Sequence, residues 1–346
     1  MTDTTSRGRV FAAALLAGLA SGPALAQETT TVRVGVNAVV SDVVMNIADE
    51  KGFFKEQGLK VEFVNFDSGP KMVAPLASGQ IDVGAGASSV GLFNAAARDL
   101  GIKIVADKGS SMPGYSYMPL LVRKDLVDSG RVKSIKDLKD LSVAEAGRGG
   151  SPAPALDEVL RREGLSYDSV RHVYNMGYPQ QVSALANKAI DAAFTTEPSA
   201  TQAVEKGYAV RFANGYPHQQ IAVLLFSGDF IKNSPEVARK FMVAYIKGAR
   251  FFNDAVTDGR LAGPAADEVI AILGTTTGIK DEALFRKMLM PGIDPNGRVN
   301  VKSLQDDMAF YQRHGFLENP VDLDKLVDTS FVEAAVKQLG EYAPKK

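Results

Sequence analysis

The chain has 346 residues, with 39 Lys+Arg against 40 Asp+Glu, a formal net charge of −1 and 45% hydrophobic residues. That balance argues against a nucleic-acid partner, which a basic face would mark. The absence of cysteine excludes disulfides, thiolate metal sites and a lipidated cysteine anchor.

Residues 1–26 read as a cleavable signal peptide. Arg7 and Arg9 form a short basic region, Val10 to Ala20 is apolar, and Ala24-Leu25-Ala26 fits an A-x-A cleavage site. Roughly 20 apolar residues are needed to span a bilayer, and this run is shorter. Gly8 separates the two arginines, which favours a Sec-type signal over a twin-arginine one. Without Asp3, Arg7 and Arg9 the balance becomes 37 basic to 39 acidic side chains. A periplasmic location is the expectation, and the mature length suits one large or two ordinary domains.

Strand and helix signals then alternate, which predicts an α/β fold with mostly parallel pairing. Residues 31–36 alternate as a strand, and 42–51 place Val43, Val44, Ile47 and Ala48 at helical spacing. A strand over 60–66, a short helix over 71–77, a strand over 81–84, a helix over 90–99 and a strand over 103–106 follow. After a strand at 117–122, the charged run 131–140 carries a helical SIKDLKD. The βα alternation restarts with a strand at 141–146, a helix at 152–163, a strand at 170–174, a helix at 179–188 and a strand at 189–194. Residues 219–226 are a further apolar strand. The remainder reads as helices over 235–254, 265–273, 281–289 and 303–314, and from 323 onward.

Four loops of small or hydroxyl residues fall between a strand end and a helix start: Asn37 to Ser41, Asp67 to Gly69, Gly86 to Ser89, and Gly147 to Ser151. In open α/β sheets that edge is where ligands bind. The first N–H groups of each helix lack internal partners and suit an anionic group. Ser41, Ser68, Ser88, Ser89 and Ser151 are either N-caps or ligand donors; Gly69, Gly149 and Gly150 permit close backbone approach. Arg148, between glycines, either grips a carboxylate or sulfonate with two hydrogen bonds or is a solvated loop arginine. Tyr115, Tyr117 and Tyr178 either stack on an organic ligand or serve as core and surface aromatics. Neither glycine loop is a nucleotide motif.

Catalytic signatures are weak. His172, His218 and His314 lie far apart, and neither an HExxH pair nor a G-x-S-x-G elbow is present. No cofactor or metal is expected, and the protein is expected not to be an enzyme.

Three phrases carry a family resemblance: KGFFKEQGLKVEFV from Lys51, PLASGQIDVG over Pro75–Gly84, and AIDAAFTTEP from Ala189. They resemble solute-binding proteins of ABC transporters in the NMT1/THI5-like group, which includes sulfonate and nitrate binders. The resemblance implies a two-lobed periplasmic binding protein fold of type 2, with a ligand cleft and a hinge of two crossover strands near 115–122 and 216–226. It divides the chain into lobe 1 over 27–115, lobe 2 over 116–220, and a return to lobe 1 with C-terminal helices over 221–346. It also implies a monomer that passes its ligand to a membrane permease. It places Glu197-Pro198 near the cleft, where Glu197 either accepts a ligand amine or hydroxyl or holds its own loop. A small organic anion is the expected ligand, with a neutral heterocycle such as a thiamine-precursor pyrimidine or riboflavin as the alternative. Fold-related enzymes of pyrimidine or menaquinone metabolism are the third possibility. The related thiamine-pyrimidine synthases look cysteine-bearing at their active site, and this chain has no cysteine.

Overall fold

The computed structural model describes residues 1–3, 29–317 and 319–344. The expected signal peptide, apart from its first three residues, lies outside them. Among the described residues no helix is long and apolar enough to cross a membrane.

Ten strands make two five-stranded sheets. β1 (Thr30–Val36), β2 (Leu59–Asn65), β3 (Val83–Ala87) and β4 (Lys103–Ser111) join β10 (Gln219–Phe226) in the order β2-β1-β3-β10-β4. β5 (Pro119–Arg123), β6 (Ser142–Ala144), β7 (Arg171–Val173), β8 (Ala192–Phe194) and β9 (Ala209–Asn214) form the second, in the order β7-β6-β8-β5-β9. β1 is parallel to β2 and β3, and β6 to β7 and β8, while β10 runs antiparallel to β3 and β4. Each sheet is the centre of one lobe.

The chain crosses between lobes over residues 112–118 and 215–218. The strands expected at the crossings, β5 and β10, belong to the sheets on either side. A second departure concerns SIKDLKD. Only Ile135–Leu138 winds, as a single 3-10 turn, because Ser134 and Asp137 cap each other and close it (Ser134 N–H to Asp137 Oδ2, 2.8 Å).

The elements follow from burial. Val32, Val34 and Val36 of β1 point into the core at period two. β3 is VGAGA because Leu76 and Leu225 lie against it. A Cβ on Gly84 would stand 2.8 Å from Leu76 Cδ1, and one on Gly86 2.8 Å from Leu225 Cδ1. The helix Pro235–Ala255 covers the first sheet with Phe241, Met242, Tyr245, Ile246 and Phe252, all buried. Full burial of each large apolar side chain contributes about 1.5–3 kcal/mol, so this face anchors the returning segment to lobe 1.

Candidate functional site

The C-terminal edges of β1, β2 and β3 face those of β6, β7 and β8, and loops of the two lobes touch. Val90 N–H donates to the Gly149 carbonyl (2.9 Å) and Val40 N–H to the Glu197 carbonyl (3.2 Å). A Cβ on Gly147 would stand 3.7 Å from Ser68 Oγ. The helix Val301–Arg313 reaches across from lobe 1: the Tyr311 hydroxyl donates to the Gly150 carbonyl (3.0 Å), and Arg313 meets Asp157 at 3.3 Å. Gln219 Nε2 donates to the Ser151 carbonyl (3.0 Å). The lobes are therefore closed on one another.

Between the strand ends lies a cavity of about 550 Å³. Lobe 1 lines it with Asn37, Ala38, Asn65, Phe66, Asp67 and Lys71, and lobe 2 with Ala146, Asn175 and Gly177–Gln180; Thr276 closes one side. The helix Tyr178–Ala186 begins on this cavity. Gln180 Oε1 accepts from Gly177 N–H (3.1 Å), while the first-turn N–H groups of Tyr178 and Gln180 have no partner within the helix. Lys71 is paired with Asp67.

Beside the cavity is a buried ion pair. Lys108 is 1% exposed; its ammonium meets Asp42 Oδ1 at 2.8 Å and donates to Ser41 Oγ at 2.8 Å. Asp42 Oδ2 accepts from the N–H groups of Asn37 and Val39 (3.0 and 3.1 Å). Two buried charges are tolerated because they pair with each other and each also holds a hydrogen bond. Tyr117 and Tyr178 close this corner. Burial raises the Tyr117 pKa well above its usual value, with Asp107, Tyr178 and Asp42 adding to the effect. Burial, then Asp42, raises that of Tyr178.

The residues singled out in the sequence separate into groups. Asn37 and Tyr178 line the cavity. Ser41 receives Lys108. Ser89 caps the helix Val90–Ala97 (Leu92 N–H to Ser89 Oγ, 3.4 Å), and Ser88 donates to Asp307 (2.7 Å). Ser68 and Ser151 are buried at helix starts without a side-chain cap bond, and Gly69 packs on Ala87. Gly149, Gly150 and Ser151 form the lobe 2 side of the loop contact. Tyr115 stands in the first crossing, its N–H donating to the Met112 carbonyl (2.8 Å). Arg148 is exposed, with its guanidinium 5.2 Å from the centroid of the Phe316 ring. Glu197 is fully buried and its carboxylate is occupied by Thr201 N–H (2.9 Å), the Thr201 hydroxyl (2.9 Å), Arg211 and Leu289 N–H (3.3 Å). Sequence reasoning passed over Lys108 and Asp42. For Asp42 the only signal was an acid among apolar residues, and Lys108, beside Asp107 and ahead of Gly109-Ser110-Ser111, carried none.

The fold recurs in solved structures. The alkanesulfonate-binding protein SsuA from Xanthomonas axonopodis pv. citri, bound to MOPS, superposes with a TM-score of 0.71 at 19% identity, covering 88% of this chain and 99% of that one. The periplasmic nitrate-binding protein NrtA from Synechocystis PCC 6803 gives 0.71 at 17% identity, with 90% of each chain covered. A protein of Bacillus subtilis (strain 168), described as a candidate aliphatic sulfonates-binding protein, is 26% identical over 334 residues, 94% of each chain. The family model described as NMT1/THI5 like matches residues 43–255, and the chain belongs to that family.

Proposed function

We propose that this protein is the periplasmic solute-binding component of an ABC importer. It captures a small organic anion, a sulfonate or carboxylate, between its lobes and presents the closed form to a membrane permease. The observation that carries this reading is the cavity of about 550 Å³ between the strand ends of both lobes. A helix start and the amides of Asn37, Asn65, Asn175 and Gln180 suit an anion bound by neutral donors. The sulfonate class is supported by the relatives, two of which are named as sulfonate-binding proteins. Residues 112–118 and 215–218 serve as the hinge of lobes spanning 27–115 with 221–346, and 116–220. Hinge closure follows from contacts made only when the lobes meet. The loops Ser68–Gly69, Ser88–Ser89 and Gly149–Ser151 act in that closure, and Asn37, Tyr178 and Gln180 contact the solute. Arg148 is left out of the contact set.

A neutral heterocycle is the second reading. It is favoured by one observation: the cavity's cation, Lys71, is already paired with Asp67, and Phe66 and Tyr178 offer aromatic surface. Thermal shift and calorimetry over alkanesulfonates, aromatic carboxylates and pyrimidines separate the two. Binding of an anion with lobe compaction in solution scattering supports the first, and binding of pyrimidines alone supports the second. A panel in which nothing binds sinks the capture reading.

A further inference from the structure

We infer that the captured solute carries an N–H or O–H donor beside its accepting group, and that Tyr117, Thr195 and Gln181 read this end in a polar chamber at the base of the cleft. The inference rests on the capture reading above and narrows its substrate class to hydroxy- or amino-substituted solutes.

Three buried polar atoms, on residues outside the lining of the cavity described above, have no hydrogen-bond partner among the described residues: the Tyr117 hydroxyl, Thr195 Oγ1 and Gln181 Oε1. Their residues are 1%, 0% and 0% exposed. A buried polar group left unmatched costs about 1–3 kcal/mol, so three in one region point to a polar occupant.

The fold brings them together. Leu121 of β5, Ala144 of β6 and Ala193 of β8 pack with Val182 and Leu185 of the helix Tyr178–Ala186. Side chains alternate along a strand, so Thr195, two beyond Ala193, emerges on this face, as does the cavity-lining Ala146 beyond Ala144. Gln181 is one turn before Leu185, and Tyr178 one turn earlier still. Tyr117 enters from the first crossing: its carbonyl accepts from Glu197 N–H (3.1 Å) and the Thr196 hydroxyl (3.4 Å). A Cβ on Gly109 would stand 3.1 Å from the Tyr117 hydroxyl and 3.4 Å from Ser41 Cβ, which puts that hydroxyl at the lobe 1 wall.

Chemistry then sets the solute. Gln181 Nε2 donates to the Met176 carbonyl (2.9 Å). A carbonyl only accepts, so the amide orientation is fixed and Oε1 is an acceptor that needs a donor. Neither a bare sulfonate nor a bare carboxylate has one. The Tyr117 and Thr195 hydroxyls donate or accept, and burial together with Asp107, Tyr178 and Asp42 keeps the Tyr117 hydroxyl protonated.

Calorimetry on the full mature chain tests this with ethanesulfonate, 2-hydroxyethanesulfonate and 2-aminoethanesulfonate, the pair propionate and 3-hydroxypropionate, and pyrimidine against 4-aminopyrimidine. Donor-bearing members are expected to bind about tenfold tighter than their plain partners. Tyr117→Phe and Thr195→Val should each lose about fivefold or more of that advantage. Both should keep or raise the melting temperature of the unliganded protein, since neither hydroxyl holds a protein partner and removing it takes away an unmatched buried group. If wild type binds panel members without donor preference, or the variants bind like wild type, the inference is overturned and the capture reading stands. A fall of several degrees in both variants' unliganded melting temperature also overturns it. If wild type binds nothing in the panel, the capture reading fails and takes the inference with it.

Discussion

Replacing Asp307 with Asn removes a buried negative charge at the point where the helix Val301–Arg313 meets the second crossing. Asp307 is fully buried. It accepts from the Ser88 hydroxyl (2.7 Å), the Tyr216 hydroxyl and, weakly, Gln219 Nε2 (3.4 Å). No cation pairs with it among the described residues. Burial therefore pushes its pKa up to about 7 from an ordinary 3.8; the three hydrogen bonds pull it back, and neighbouring Asp306 adds to the rise. The folded state thus holds this proton more tightly than the unfolded chain. Its stabilisation is complete below the unfolded pKa and is lost as pH rises through about 7. At 1.36 kcal/mol per pH unit, the stretch from pH 5 to the folded pKa is worth about 3 kcal/mol. For a chain of this size that is on the order of 5 °C in melting temperature. Asn keeps one oxygen to accept from Tyr216 and turns its NH2 toward Ser88, whose hydroxyl can rotate to accept, without the charge. Melting followed by circular dichroism from pH 5 to 8 at fixed ionic strength should show wild type falling with pH. The Asp307→Asn profile should be flatter and lie above wild type at pH 8. Parallel profiles, or a variant less stable than wild type at pH 8, would refute the reasoning.

Lys108→Met leaves Asp42 buried without its cation and should cost about 3–5 kcal/mol in urea unfolding; a loss under 1 kcal/mol would show that the pair is dispensable. Gly149→Ala adds a methyl that collides with Val90 Cγ1 at a left-handed φ of +66°. Its lobes should close poorly, read as a larger radius of gyration in solution scattering and solute affinity reduced about tenfold or more. Arg148→Ala should change solute affinity less than about twofold and stability by about 0.5–1 kcal/mol, the worth of an exposed cation–π contact. A tenfold loss of affinity would return Arg148 to the site.

The four strand-end loops were legible because small and hydroxyl residues interrupt apolar alternation there, and β10 was readable at its full length from QQIAVLLF. β4 was not. Asp107-Lys108 looked like the charged end of a strand over 103–106, yet the strand runs to Ser111 because β10 pairs along it and Asp42, 66 residues earlier, neutralises Lys108. β9 was missed because Arg211 breaks its pattern, and Arg211 is there to meet the buried Glu197. The environment of Glu197 illustrates the limit more generally. Its position could be read from the chain, but its partners Arg211 and Leu289 come from opposite lobes. Thr195 and Gln181 carried no signal at all, since a threonine after a strand and a glutamine in a helix are ordinary until the core around them is known.

The placement of β10 also governs the order in which the polypeptide can assemble. β3 and β4 do not pair with each other; each pairs with β10. All five strands of the second sheet lie within residues 119–214, whereas the first sheet stays split until residue 226 has been made. Lobe 2 is thus a contiguous unit that can complete itself locally. A nascent or proteolysed N-terminal fragment presents two unpaired strand edges, which are templates for aggregation. The first lobe thus stays unfinished, and open to handling by other proteins, until most of the sequence has been made.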